Sequence, residues 1–195
     1  ESHPCVPQWA YGVSKLVGEH YARIFADNYN LDITNLRYGI VYGPREWYGR
    51  VLPIFLQRLL HNQPPVIFGD GDQVRDWIYI DDAVRFHNMC LEDNSTIGQS
   101  YNVSTGVGTT VNDLAKLALE ITGVNHQPIY ESIAEGETSS HITNRVRLPQ
   151  ELRTLIQSPE KAKRDTGWFP TVTLKEGLMC QWKWLQQNLH RYEVE

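Results

Sequence analysis

Tyr11 and Lys15 lie four positions apart in a stretch whose apolar spacing predicts a helix, so a phenol and an ammonium share one helix face. A cation near a phenol favours the phenolate, and a Tyr placed in this way can accept a proton from an alcohol near neutral pH. The pair therefore indicates acid–base chemistry on a hydroxyl group. The spacing alone is weak evidence, because a chain with ten Tyr and six Lys contains Tyr-x-x-x-Lys roughly 0.3 times by chance.

Arg75 is the second candidate for chemistry. Its planar guanidinium presents a fork of donors that suits a phosphate group. The alternative is an exposed ion pair with the adjacent Asp76, and composition alone puts the two interpretations at about even odds.

Two other patterns are weaker. Gly106 and Gly108 precede a predicted helix, but a third Gly and a long buried strand are missing. A turn followed by a helix cap is therefore favoured over a phosphate-binding loop by about four to one. The seven His residues are scattered without an i, i+4 pair, so we expect no metal site.

The elements that must position these residues alternate between helices and short strands, which predicts an α/β fold. Helical spacing and caps predict helices over 9–29, 52–61, 81–91, 111–122, 158–167 and 174–189. Strands are predicted over 31–38, 66–68, 77–80, 100–103 and 128–130. Residues 39–50 and 69–72 are expected to be loop and turn, and 132–157 loop with a short helix near 150–155.

Composition and charge exclude several classes of protein. With 18 basic against 23 acidic residues the net charge is −5, the wrong sign for a domain that grips nucleic acid. No apolar run reaches 18 residues, so we expect no membrane span. The three cysteines, Cys5, Cys90 and Cys180, form no CxxC motif, which favours a reducing, cytoplasmic location.

Five motifs in a fixed order carry a family resemblance. They occupy residues 7–19, 36–45, 68–82, 101–106 and 167–170. In this order and spacing the chain resembles the extended short-chain dehydrogenases/reductases that act on nucleotide sugars, the NAD-dependent epimerase/dehydratase family typified by UDP-glucose 4-epimerase. The resemblance runs from about Pro4 to Leu185. It implies the C-terminal part of a Rossmann-type doubly wound domain together with a smaller α/β substrate-binding domain.

The resemblance also implies roles for the cofactor-proximal residues. Tyr11 matches the catalytic base, which deprotonates a sugar hydroxyl while hydride leaves the same carbon for NAD. Lys15 matches the residue that binds the nicotinamide ribose and keeps the Tyr anionic. Tyr38 matches a position beside the nicotinamide. Tyr11, Lys15 and Tyr38 are thus the expected NAD-binding residues, the first two of them catalytic.

The expected substrate is a nucleotide sugar, with a UDP-sugar favoured. Arg75 matches an arginine that binds the substrate diphosphate, and 66–68 match the strand that lines the nucleotide. The residues expected to bind substrate are Leu52, Val66, Phe68, Arg75, Glu137 and His141.

The glycine-rich βαβ unit that binds the NAD pyrophosphate has no counterpart here. We therefore expect this chain to be the C-terminal part of a protein of some 300 residues, inactive alone. Residues 1–50 are expected to be the remnant of the NAD-binding domain and 51–195 mainly the substrate domain. The segment around 69–92 is expected to return to the Rossmann sheet.

Three departures from the family pattern concern the substrate. Ile40 stands where members often have a substrate-binding Asn, and Ala134 where a second phosphate-binding Arg often lies. Arg145 or Arg147 could replace that Arg from the longer segment 138–157. His141 falls near a position that limits sugar size in some epimerases.

Two classes of function stay open at this stage. One is an enzyme: a 4-epimerase first, with a 4,6-dehydratase or decarboxylase of the same family as the alternative. The other is a non-catalytic module that only binds a nucleotide sugar or folds only beside a missing half. The family commonly forms homodimers through the helix of the Tyr and Lys. Tyr21, Ile24 and Phe25 could serve such a contact or could equally face the sheet.

Overall fold

The computed structural model describes residues 1–7, 9–134, 136–142, 145–146 and 153–191. Its helices in this part of the chain are α1 (Ala10–Tyr29), α2 (Val51–Leu60), α3 (Ile80–Glu92), α4 (Val111–Thr122), α5 (Glu160–Thr166) and α6 (Leu174–Gln187). Its strands are β1 (Asn35–Tyr38), β2 (Ile40–Tyr42), β3 (Val66–Phe68), β4 (Val74–Tyr79), β5 (Ser100–Val103), β6 (Gly108–Thr110), β7 (Ile129–Glu131) and β8 (Thr154–Leu155).

Short parallel strand pairs organise the chain. β1 pairs with β5, β2 with the second half of β4, and β3 with β7, all of them parallel. The first half of β4 pairs antiparallel with β6 and parallel with β8. Parallel strands joined through helices define an α/β architecture, which confirms the predicted class.

β4 separates two hydrophobic clusters. Trp77 and Tyr79 pack into the larger one with α2, α4 and α6, where Leu52, Phe55, Leu114 and Leu178 are fully buried. Ile78 faces the other cluster, which holds Phe86 and Trp168. Because side chains alternate along a strand, odd positions of β4 face one core and even positions the other.

Two of the sequence motifs, 68–82 and 167–170, meet where α3 packs against the segment that follows α5. Asp82, 2% exposed, accepts hydrogen bonds from the Thr171 amide and hydroxyl and from the Val172 amide. The Trp168 indole donates to the Asp82 carbonyl at 3.2 Å and its ring lies 4.8 Å from that of Phe86. These motifs are therefore explained by packing rather than by chemistry.

Several predicted elements are confirmed with small changes of boundary. α1 begins one residue later than expected and ends at Tyr29, where the capping residue Asn30 adopts a left-handed conformation. Thr110 caps α4 by accepting from the Asp113 amide, and Gly123 ends that helix. The turn between β3 and β4 has positive φ at Gly69 and Gly71, which only glycine adopts without strain.

Four expectations were wrong. Residues 40–42 form β2 instead of loop, and β6 occupies part of the expected turn at 106–108. The described residues 154–155 form β8 rather than helix, because they pair with β4; residues 150–152 lie outside the described residues. Asp81 and Asp82 lie in the first turn of α3, whose N-cap is Tyr79.

α1 is unusually exposed. None of its 20 residues is buried, and Tyr21, Ile24 and Phe25 are 60%, 48% and 47% exposed. These three side chains therefore do not pack on a sheet of the described residues. The division of the chain near residue 50, with 69–92 returning to the first unit, stays a prediction.

Candidate functional site

A cavity of about 290 Å³ opens between β3, β4, α2 and the segment after β7. Its wall is formed by Trp9, Ile40, Val51, Ile54, Phe55, Val66, Ile67, Phe68, Gln73, Arg75, Trp77, Val111, Ile142, Arg145 and Val146. The wall is mainly apolar and includes two arginines, Arg75 and Arg145. Such a cavity suits a ligand with a flat or aliphatic part and an anionic part.

Arg75 reaches this cavity because of the pleat of β4. Gln73, Arg75 and Trp77 lie on the cavity side, at alternate positions along the chain. The Arg75 guanidinium donates to the Val74 carbonyl at 2.8 Å and lies 3.5 Å from the Arg153 carbonyl, contacts that limit its orientation.

Asp76 lies on the opposite face of β4 and is 2% exposed. Its carboxylate accepts hydrogen bonds from the Thr105 amide and hydroxyl, at 2.9 and 2.6 Å, and from the Gly106 amide at 2.9 Å. The two neighbours thus have separate tasks: Asp76 fixes the loop after β5, and Arg75 faces the cavity. This arrangement differs from the exposed ion pair that was the alternative interpretation.

Three predicted substrate residues lie in the cavity wall. Val66 and Phe68 on β3 lie there together with Arg75, so the structure brings these predicted residues to one site. Leu52 is instead fully buried in the larger core, and its neighbour Val51 lines the cavity.

Glu137 and His141 lie on the segment after β7 and are both exposed. The Glu137 carboxylate accepts a hydrogen bond from the Ala134 amide at 2.9 Å. The His141 carbonyl accepts from Arg58 at 2.8 Å, and the next residue, Ile142, lines the cavity. Arg147, the alternative to Arg145, lies outside the described residues.

Tyr11 and Lys15 share one face of α1, as their spacing predicts. The Lys15 ammonium lies 5.1 Å from the centre of the Tyr11 ring, and the Tyr11 side chain is 66% exposed. The ring of Trp9 meets that of Tyr11 edge-on at 6.4 Å. Because Trp9 also lines the cavity, this indole connects the cavity to the Tyr11–Lys15 face.

Tyr38 ends β1, and its hydroxyl lies 3.3 Å from Nδ1 of His87 on α3. Burial of the ring raises the pKa of Tyr38, so this phenol is neutral at physiological pH. It can therefore donate or accept a hydrogen bond but does not act as an anion there.

Comparison with known proteins settles the family. The family model described as GDP-mannose 4,6 dehydratase matches residues 1–180. The chain belongs to this family. The predicted membership in the nucleotide-sugar epimerase/dehydratases is thereby confirmed.

Solved structures of similar proteins share the fold. The chain is 38% identical to the UDP-glucose 4-epimerase of Thermotoga maritima, solved with UDP-glucose, with a TM-score of 0.80 over 92% of this chain and 54% of that one. A mutant of the UDP-glucuronic acid 4-epimerase from Bacillus cereus, solved with NAD and a fluorinated UDP-sugar, is 28% identical with a TM-score of 0.83 over 96% and 55%. These similarities confirm the Rossmann-type α/β fold expected from the sequence.

A dehydratase is also similar. The human dTDP-D-glucose 4,6-dehydratase is 28% identical over 200 residues, covering 99% of this chain and 53% of the human protein. The chain thus spans about half the length of the curated relatives it matches. The Tyr11–Lys15 pair and the cavity both lie in the part of the chain that the family model matches.

Sequence reasoning missed several cavity residues, namely Trp9, Ile54, Gln73, Val111 and Ile142. The alternation along β4 could have identified Gln73 and Trp77 as neighbours of Arg75. Trp9 and Ile142 come from irregular segments, and no periodic signal marks them. In the described part of the chain, no group of three or more His, Cys, Asp or Glu side chains is arranged to hold a metal ion, and no helix is long and apolar enough to span a bilayer.

Proposed function

We propose that the whole protein is an NAD-dependent nucleotide-sugar 4-epimerase that acts on a UDP-sugar. One observation carries the proposal: an exposed Tyr–Lys pair lies beside an apolar cavity with two arginines, and Trp9 borders both. The nucleotide occupies the cavity along β3, the diphosphate lies by the guanidinium groups, and the sugar extends past Trp9 to Tyr11.

Tyr11 accepts the proton of the sugar C4 hydroxyl and later returns it. Lys15 stabilises the negative charge on the phenol oxygen, since an ammonium close by favours the charged form. Arg75 supplies a fork of donors to the diphosphate, while the aliphatic wall excludes water from the nucleotide.

The residues present fit the nicotinamide end of NAD. Tyr11 and Lys15 face outward from a helix with no fully buried residue, and the half-exposed Tyr38 ends β1, so polar groups are accessible there. NAD bound beside this face supplies hydride acceptance from the sugar carbon and hydride return. Lys15 is proposed to bind the ribose hydroxyls while it lies beside Tyr11 on the same helix face.

A 4,6-dehydratase is the second candidate, favoured by the human relative and by the description of the family model. The two reactions share the first step, removal of the C4 hydroxyl proton and the C4 hydride. They differ in the later steps, because a dehydratase also expels the C6 hydroxyl. The products are therefore diagnostic: a C4 epimer in one case and a 4-keto-6-deoxy sugar in the other.

The experiment is to incubate the full-length protein with UDP-glucose, UDP-glucuronic acid or dTDP-glucose and to identify the products by NMR. Tyr11→Phe is expected to lower kcat by at least about a hundredfold, the contribution of general-base catalysis. Tyr29→Phe, on the same helix far from Lys15, serves as the control. Full activity of Tyr11→Phe would exclude Tyr11 as the base, and a 4-keto-6-deoxy product would identify a dehydratase.

We further propose that the protein is cytoplasmic and forms a homodimer through α1. The support is the exposure of Tyr21, Ile24 and Phe25 on a helix that buries none of its residues. Light scattering on the full-length protein tests this, and a monomer mass would exclude the dimer.

A further inference from the structure

In the segment after β7, the described residues 138–142 and 145–146 pair with each other, and this pairing is here called the 138–146 hairpin. Thr138 and Val146 form an antiparallel bridge. The Ser139 amide donates to the Arg145 carbonyl at 2.8 Å, which closes the hairpin from the inside.

This hairpin forms one side of the cavity. Ile142, Arg145 and Val146 lie in the wall that also contains Arg75. The Arg145 guanidinium donates to the Gly49 carbonyl at 2.6 Å and so is tied to the loop that precedes α2. The hairpin therefore brings a second cation to the cavity, from an element that is independent of β4.

Glu131, at the end of β7, anchors the hairpin. Its side chain is 8% exposed and accepts hydrogen bonds from the Ser139 hydroxyl at 2.5 Å, the Ser140 amide at 2.6 Å and the Ser140 hydroxyl at 2.7 Å. Burial tends to raise the pKa of Glu131, but these hydrogen bonds outweigh it and lower the pKa below its usual value. The anchor is thus a carboxylate anion that is fully engaged by its neighbours.

Ser139 connects Glu131 to the cavity wall by hydrogen bonds on both sides. Its hydroxyl oxygen accepts from the amides of His141 at 3.1 Å and Ile142 at 3.0 Å, while its O–H donates to the Glu131 carboxylate. Arg58 on α2 adds a second tie, from its guanidinium to the His141 carbonyl. A continuous chain of hydrogen bonds therefore runs from Glu131 to a residue that lines the cavity.

We propose that Glu131 is a positioning residue that fixes the 138–146 hairpin so that Arg145 faces the anionic part of the bound ligand. The identity of that ligand, a nucleoside diphosphate linked to a sugar, rests on the proposed function. A hairpin ordered in advance spares the ligand the entropy cost of ordering it on binding. Glu131 therefore affects the affinity for the nucleotide sugar and not the rate of the chemical step, which depends on Tyr11 and Lys15.

The test is calorimetric titration of the full-length protein with UDP, dTDP and GDP, together with KM and kcat for the preferred substrate. Glu131→Gln is expected to weaken the binding of the preferred nucleotide about tenfold, because the anchor loses its charge and one acceptor oxygen. KM rises by a similar factor and kcat stays within about twofold. Glu120→Gln, which removes an exposed carboxylate paired with Lys175, is the matched control and is expected to change neither.

The decisive measurement is the coupling of Glu131 to Arg145. Arg145→Gln alone is expected to weaken nucleotide binding by at least about tenfold. The double variant is expected to be no weaker than Arg145→Gln, because a misplaced hairpin and a missing guanidinium lose the same contact. A purely structural role of Glu131 predicts additive losses instead. Ser139→Ala repeats the cycle with a milder change if Glu131→Gln folds poorly.

The outcomes separate this assignment from the proposed function. If the wild-type protein binds none of the three nucleotides, the proposed function fails and this assignment with it. If the wild type binds and Glu131→Gln binds equally well, or if the losses are additive, only the positioning role is overturned.

Discussion

The Arg37 guanidinium on β1 donates two hydrogen bonds, of 2.7 and 2.6 Å, to the Glu19 carboxylate on α1. The pair is about three-quarters buried on both sides, and the Arg37 guanidinium lowers the pKa of Glu19. It links the helix that carries Tyr11 and Lys15 to the strand that ends at Tyr38. Since no residue of α1 is fully buried, this bidentate contact is a principal tie between the helix that carries Tyr11 and Lys15 and the strand β1.

Replacement of Arg37 by Met is expected to loosen α1 while leaving both hydrophobic clusters intact. The lost pair is worth about 1 kcal/mol of unfolding free energy, because it is bidentate and partly buried. The α1 amides should exchange with deuterium faster, whereas those of α4 should not change. Hydrogen exchange followed by mass spectrometry measures both helices in one sample.

Lys175→Met is the control for this experiment, since it removes an exposed pair with Glu120. It is expected to leave α1 exchange at the wild-type rate. Unchanged α1 exchange in Arg37→Met would mean that the helix is held by contacts other than this pair.

Glu46 makes the stability of the fold depend on pH. Its side chain is 5% exposed, and burial raises its pKa to about 7, opposed by a hydrogen bond from Gln181 at 2.8 Å and by Arg50 at 4.0 Å. The folded state therefore holds a proton that the unfolded chain releases near pH 4.5. The contribution of Glu46 to the free energy of unfolding is fully present below pH 4.5. It is lost as the pH rises to about 7, and the total loss is about 3 kcal/mol.

Glu46→Gln is expected to remove this loss, because the amide stays neutral at every pH. The variant should unfold at a higher temperature than wild type at about pH 8 and at a similar temperature at about pH 5. Calorimetry at the two pH values measures the difference. An equal shift at both pH values would show that Glu46 is not protonated in the folded protein near neutrality.

Arg75 and Asp76 are neighbours with opposite expected phenotypes. Asp76→Asn is expected to lower the free energy of unfolding by about 1–3 kcal/mol, since the buried carboxylate accepts from Thr105 and Gly106. Arg75→Gln is expected to weaken nucleotide binding about tenfold or more, with a change in unfolding free energy below about 1 kcal/mol.

Urea denaturation and nucleotide titration of both variants measure this contrast. A loss of stability in Arg75→Gln as large as that in Asp76→Asn would assign the guanidinium a structural task. Arg75→Lys is a useful third variant, because it keeps the charge and removes the planar fork.

NAD should copurify with the full-length protein. Denaturation and chromatography of the supernatant are expected to release about one NAD per chain, since the pair Tyr11–Lys15 is proposed to face the nicotinamide. A full-length protein that neither releases nor binds NAD would favour the non-catalytic nucleotide-sugar module instead.

Much of the fold is determined by local signals. The Tyr11–Lys15 helix, the caps of α4 at Thr110 and Gly123, and the short strand at 66–68 were predicted from spacing, caps and breakers alone. These elements are set by neighbours within a few residues. Their observed boundaries consequently differ from the predicted ones by at most one position.

The three missed strands, β2, β6 and β8, have a common cause in long-range pairing with β4. β2 lies between Gly39 and Gly43, whose presence predicted a loop, yet it exists because it pairs with β4. β8 is likewise a strand only because it lies against Val74 and Arg75. The sequence identified Arg145 as a candidate. Its place in the cavity, however, depends on the contact between Glu131 and Ser139. Contacts of this kind produce no periodic pattern in the sequence, so they could not be predicted.

The alternation of β4 has a consequence for quality control during folding. A slip of one residue in its register would turn Arg75 away from the cavity and Asp76 towards it, so the Asp76 hydrogen bonds and the proposed anion contact of Arg75 would be lost together. Correctly folded chains are therefore also the chains in which Arg75 faces the cavity. Selection against misfolding thereby also preserves the orientation of Arg75, because a single register of β4 sets the directions of both Arg75 and Asp76.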